Sequence, residues 1–139
     1  MVSVRKLSAR PGFTLTEILI AIAILGIIGA VVFNVYRGVQ EGARKDATRA
    51  QLKAVKTAIN MFEMHTGRVP AKLKDLVKKP SGVEDYRGPY MEKVPKDGWG
   101  RRLVYKPVKD ATGKPYTLYS YGPAGRGAPK KDWINVWKL

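Results

Sequence analysis

Residues 18–33 carry no charged or hydrogen-bonding side chain, and no other feature of the chain constrains the fold as strongly. At 1.5 Å of rise per residue, a helix over residues 13–35 is long enough to cross a hydrocarbon core. Water cannot solvate such a surface, so lipid or other protein must cover it. Glu17 nevertheless sits at the start of this stretch, and Arg5, Lys6 and Arg10 lie just before it. A carboxylate at the edge of a membrane segment is costly and marks a functional residue. If the chain were cut after Gly12, the new α-amine of Phe13 would be a cation four residues from Glu17, one helical turn away.

The first twelve residues are short, basic and followed by the apolar run, as in a targeting segment. The candidate cleavage point at Pro11-Gly12 comes before the apolar run, whereas a secretory signal carries its site after it. Cleavage there leaves the hydrophobic segment on the mature chain, where it must serve the final structure. The leader charges also predict that residues 1–12 stay cytoplasmic while the C-terminal part is translocated. Gly12-Phe13-Thr14-Leu15-Thr16-Glu17, followed by a long apolar segment, resembles the leader of type IV pilins and pseudopilins. That resemblance implies cleavage between Gly12 and Phe13 by a prepilin peptidase, with N-methylation of Phe13. It also implies that Glu17 pairs with the Phe13 amine of a neighbouring subunit during filament assembly.

A chain of 139 residues supports one modest domain plus an extended element. It has no cysteine, so neither disulfides nor thiolate metal sites arise. Past Asn34 the pattern becomes one-sided. Val35, Tyr36, Val39, Ala43, Ala47, Ala50, Ala54, Val55, Ala58, Ile59 and Phe62 recur at spacings of three and four, the period of a helix with one buried face. Gly67 can cap the helix and Pro70 forbids its continuation, which predicts an end near Thr66. The helix is then about fifty residues long, roughly 75 Å. Further on, residues 72–77 read as a short helical turn and residues 86–95 as a structured loop. Residues 102–106, 116–121 and 133–137 read as strands, with turn chemistry at residues 110–114. The expected fold is α+β: a long helix, apolar in its first half and amphipathic in its second, packed on a small antiparallel sheet. The expected divisions are a leader (1–12), a membrane and filament-core helix (13–35) and a periplasmic domain (36–139).

The C-terminal motifs narrow the resemblance. Asp97-Gly98-Trp99-Gly100-Arg101, Tyr119-Ser120-Tyr121-Gly122-Pro123-Ala124-Gly125, the end at Asn135 and Trp137, and Thr66-Gly67-Arg68-Val69-Pro70 are similar to the major pseudopilins of type II secretion, the general secretion pathway protein G group. This implies a homopolymer that grows from an inner-membrane assembly platform, driven by a cytoplasmic ATPase and accompanied by minor pseudopilins. In that group the loop before the last strand holds calcium. Here the acidic positions fall on Ala124 and Lys131, and Asp132 alone remains a carboxylate. A hard cation wants six to eight oxygens, so the expectation is no cofactor and no metal, or at most a weak site at Asp132. Either Lys130, Lys131 or Arg126 pins the loop in place of the cation, or the loop is solvated and mobile. Many members also carry a proline near position 34, whereas this chain has none between Pro11 and Pro70. Gly26 and Gly29 are left as points where the helix loosens, or as close helix contacts.

No arrangement of residues suggests catalysis. His65, the sole histidine, has no partner cluster and reads as a capping or surface residue, and no serine has a histidine at a recognisable spacing. Asp75, Glu84 and Asp85 read as solvated surface. The net charge of +15 leaves a second class of function open. A type IV pilus or DNA-uptake pilin could bind nucleic acid through its lysines and arginines, with Tyr86, Tyr90, Tyr105, Tyr116 and Trp99 stacking on bases. The competing reading places those rings in the core of the sheet.

Overall fold

A computed structural model describes residues 12–108 and 113–139. One helix, α1 (Leu15–Thr66, 52 residues), is followed by a 3-10 turn at Leu73–Leu76 and three strands, β1 (Val104–Lys106), β2 (Thr117–Ser120) and β3 (Ile134–Asn135). The fold is therefore α+β, as the sequence predicts. The chain divides into two compact units, Met1–Val39 and Gln40–Leu139.

In the first unit the apolar residues of α1 have no cover. Every large apolar side chain from Phe13 to Val39 is exposed, Phe13 at 86%. By length and composition this helix can cross a membrane. Asn34, the first amide side chain after the run, donates from Nδ2 to Ala30 O at 3.0 Å. The helix thus satisfies its own polar group at the end of the apolar stretch.

In the second unit α1 supplies Leu52, Val55, Ala58, Ile59 and Phe62, which pack against Leu73, Leu76, Leu103, Tyr116, Leu118 and Val136. The expected face holds at Val55, Ala58, Ile59 and Phe62. It shifts earlier in the helix, because Ala43, Ala47, Ala50 and Ala54 are exposed while Leu52 and Thr48 are buried. Leucine removes far more apolar area from water than alanine does. Thr48 is tolerated inside because its hydroxyl donates to Arg44 O at 2.8 Å and accepts from Gly98 N at 2.8 Å. The helix ends where expected: Gly67 takes φ 72° and its N–H donates to Glu63 O at 2.8 Å.

The sheet has the order β1-β2-β3, antiparallel throughout, with Tyr105 opposite Leu118 and Ser120 opposite Ile134. Tyr116, Leu118 and Ser120 point into the core. On the other face Tyr119 stacks on Trp133 with ring centroids 4.5 Å apart, and Tyr121 meets both rings edge-on. Each strand is shorter than expected. Arg102 bridges back to Lys96 instead of joining β1. β3 stops at Asn135, whose Oδ1 accepts from Trp137 N at 2.9 Å and turns the chain into a 3-10 turn. Most of the turn expected at residues 110–114 lies outside the described residues.

Burial lifts the phenol of Tyr116 to about 12, and raises that of Tyr105 well above its ordinary value. Tyr105 donates to Pro70 O at 2.6 Å, but the hydroxyl of Tyr116 is buried without a partner among the described residues. The unfolded chain releases the Tyr116 proton near pH 10 and the folded chain only near 12. Stability is therefore full below pH 10 and falls as pH rises toward 12, by about 2–3 kcal/mol for Tyr116. Tyr116→Phe removes an unsatisfied hydroxyl, so we expect stability at neutral pH to hold or rise by about 1 kcal/mol. Its alkaline loss should also be shallower, as read by urea unfolding across pH.

Candidate functional sites at the helix start and the 122–132 loop

Residues 12–14 lie outside the helix and are exposed. Thr14 and Glu17 form a capping box at the start of α1. The Thr14 N–H and hydroxyl donate to Glu17 Oε2 at 2.8 and 2.9 Å, and Glu17 N donates back to Thr14 Oγ1 at 3.2 Å. Both bonds that Glu17 accepts fall on one oxygen, so Oε1 has no hydrogen-bond partner among the described residues. Residues 1–11, the bulk of the expected leader, lie outside the described residues.

The second site is built on a buried carboxylate. Asp97 is 6% exposed. Its Oδ1 accepts from Trp99 N at 3.0 Å and Arg101 N at 2.8 Å, which closes the turn at residues 97–101. Its Oδ2 accepts from Ser120 Oγ at 2.7 Å, and Ser120 Oγ accepts in turn from Gly122 N at 3.0 Å. The turn also places the Arg101 guanidinium over the loop, where it donates to Gly122 O at 2.6 Å and Pro123 O at 2.9 Å. Asp97, Ser120, Gly122 and Arg101 thereby form a closed ring of hydrogen bonds. Two glycines make the close approaches possible. A Cβ on Gly98 would collide with the Arg44 carbonyl, and one on Gly122 would lie 2.7 Å from Asp132 O.

Residues 35–137 match the family model for the type II secretion system, protein G, and residues 7–33 match that for the prokaryotic N-terminal methylation motif. The chain belongs to the type II secretion system protein G family. The type II secretion system core protein G of Pseudomonas aeruginosa is 32% identical over 135 residues, covering 91% of this chain and 94% of the relative. The core protein G of Xanthomonas campestris pv. campestris is 31% identical over 120 residues, covering 86% and 82%. The fold matches that of the major pseudopilin from the type 2 secretion system of enterohaemorrhagic Escherichia coli. That match has a TM-score of 0.62 at 24% identity and covers 74% of this chain and 94% of the other.

Within this protein G fold the charged loop side chains are solvent-exposed, as in the second of the two expected readings, and not engaged in pinning the loop. Arg126, Lys130, Lys131 and Asp132 are all exposed, and none has a side-chain hydrogen bond or ion pair with a described residue. The loop contacts belong to Arg101, more than twenty residues earlier. Asp75 is also buried, not solvated, because its Oδ2 caps Lys72 N at 3.1 Å. His65 is half-buried, with Nδ1 2.9 Å from Tyr90 Oη. The rings proposed to stack on bases are structural. Tyr116 is in the core, Tyr86, Tyr90 and Tyr105 pack on it, and Trp99 Nε1 donates to Glu41 Oε2 at 3.3 Å. Sequence reading assigned no role to Asp97, Arg101 or Ser120. Their motifs were visible, but nothing in the sequence showed that two turns so far apart would meet.

Asp97→Ala would strand three donors, two backbone N–H groups and the Ser120 hydroxyl. We expect it to lower stability by about 3 kcal/mol or more, whereas Lys130→Ala and Lys131→Ala should change it by less than about 0.5 kcal/mol. Urea unfolding of the purified chain in detergent checks the contrast.

Proposed function

We propose that the chain is a major pseudopilin held in the inner membrane by residues 13–35, with its C-terminal unit in the periplasm. A prepilin peptidase removes residues 1–12 and methylates Phe13. The mature chains then polymerise into a periplasmic pseudopilus that pushes cargo outward in type II secretion. The observation that carries this reading is the uncovered apolar half of α1, which begins immediately beside an accessible Gly12-Phe13 bond. Lipid covers that surface before assembly, and packed copies of the same helix cover it afterwards. The role is mechanical, with minor pseudopilins, an inner-membrane assembly platform and a cytoplasmic secretion ATPase as partners.

Glu17 supplies the assembly contact. An α-amine is largely cationic at neutral pH, and its attraction to a carboxylate is strong once both leave water. Thr14 holds the Glu17 side chain at the helix start through Oε2. Oε1 can then accept the Phe13 amine of an adjacent subunit while the cap stays in place. The contact requires cleavage, because before it Phe13 N is an amide.

Glu17→Ala should still insert and be cleaved, giving a mature N-terminus at methylated Phe13 by mass spectrometry. Its filament yield should fall about tenfold or more, the equivalent of ~1.4 kcal/mol at the lost contact. Normal filament yield from Glu17→Ala would remove the proposed pairing. A chain that stays uncleaved beside an active prepilin peptidase would remove the processing step.

A further inference from the structure

Two main-chain carbonyls at the neck of the 122–132 loop accept from one guanidinium. Gly122 O and Pro123 O both point at Arg101, and Asp132 O comes so close to Gly122 that a side chain there could not fit. The family resemblance supplies a calcium ion at this loop. The donor set of this chain does not fit that ion. Ala124 and Lys131 offer no carboxylate, Asp132 is exposed, and two carbonyls already accept from a guanidinium. No group of three or more metal-binding side chains occurs among the described residues.

We propose that Arg101 is the internal cation of this loop, so that its guanidinium does the work of a metal and the subunit folds without calcium. The planar fork suits the task, because two N–H groups reach two adjacent carbonyls at once. Its position is fixed from both sides. Asp97 accepts the Arg101 backbone N–H, and through Ser120 it also orients Gly122 N. Gly125, at φ 73°, lets the guanidinium lie close against the loop: a Cβ there would sit 3.0 Å from its Nη1. A bound divalent ion would have to displace a guanidinium already hydrogen-bonded to two of the loop carbonyls. If the chain serves as the pseudopilus subunit proposed above, export through it does not depend on a calcium supply.

The test uses the full chain in detergent, melted in millimolar calcium chloride and in EGTA. The wild type should melt at the same temperature in both. Arg101→Gln should melt about 5–15 °C lower in both. Restoring the carboxylates in Arg101→Gln/Ala124→Asp/Lys131→Asp should give a chain that calcium stabilises and EGTA does not. Limited trypsin digestion with mass-spectrometric mapping reads the loop directly. Cuts after Arg126 and Lys130 should be slow in the wild type even in EGTA. In Arg101→Lys, which keeps the charge but loses the fork, they should be several-fold faster. A wild type that melts several degrees higher in calcium overturns the proposal. So does an Arg101→Lys chain cut no faster than the wild type, or a carboxylate-restored chain that does not respond to calcium.

Discussion

The apolar half of α1 is the constraint from which the rest follows. Its large side chains, from Ile18 to Phe33, are exposed in the subunit, and none of the described residues of the unit Met1–Val39 covers them. In water each such side chain costs about 1.5–3 kcal/mol relative to burial, so the helix must live in lipid or among its own kind. Under the proposed processing, that one surface explains why the leader would be cut before the apolar run and not after it. It also explains a carboxylate placed at the very start of the helix. The capping box at Thr14 and Glu17 satisfies the first turn and, in the proposed assembly, holds an acid at the point where a new amine would appear.

The unit Gln40–Leu139 has a different problem, since it is small, has no disulfide and must order a glycine-rich loop. Its solution is polar. Asp97 is a buried carboxylate whose oxygens accept from two backbone N–H groups and a hydroxyl, and this fixes the turn that aims Arg101 at the loop. Elsewhere the unit relies on aromatic packing: Phe62 with Tyr86 and Tyr90 at one end, and Tyr119 with Trp133 and Tyr121 on the outer face of the sheet. Lys56 and Lys114 lie over the Trp137 ring at 4.3 and 5.1 Å, so part of the large positive charge is spent on the fold's own rings.

Features written in local sequence were legible. The helix end at Thr66, the turn after Pro70, the three strand positions and the processing motif all depend on residues near one another in the chain. The buried face of α1 was legible only in part. Periodicity alone weighs alanine like leucine, and it does not register that a threonine can be buried once Gly98 and Arg44 satisfy it. The loop was the least legible, because the sequence shows which charges lie within it but not which charge reaches it from outside. Lys130 and Lys131 are neighbours in sequence and point to solvent, while Arg101 arrives through a turn closed by Asp97.

The central claim is that the apolar half of α1 is covered first by lipid and then by other copies of itself. Because the chain contains no cysteine, single cysteines can report this without background. Ile24→Cys and Val32→Cys, with Ala50→Cys on the exposed alanine stripe as a reference, would be treated with a membrane-impermeant maleimide. Labelling would be compared between membranes opened to the periplasm and lipid-free filaments sheared from cells. The account predicts that positions 24 and 32 stay unlabelled in both states and react only after the filaments are dissolved in denaturant. Ready labelling of Ile24→Cys or Val32→Cys in intact lipid-free filaments would contradict it.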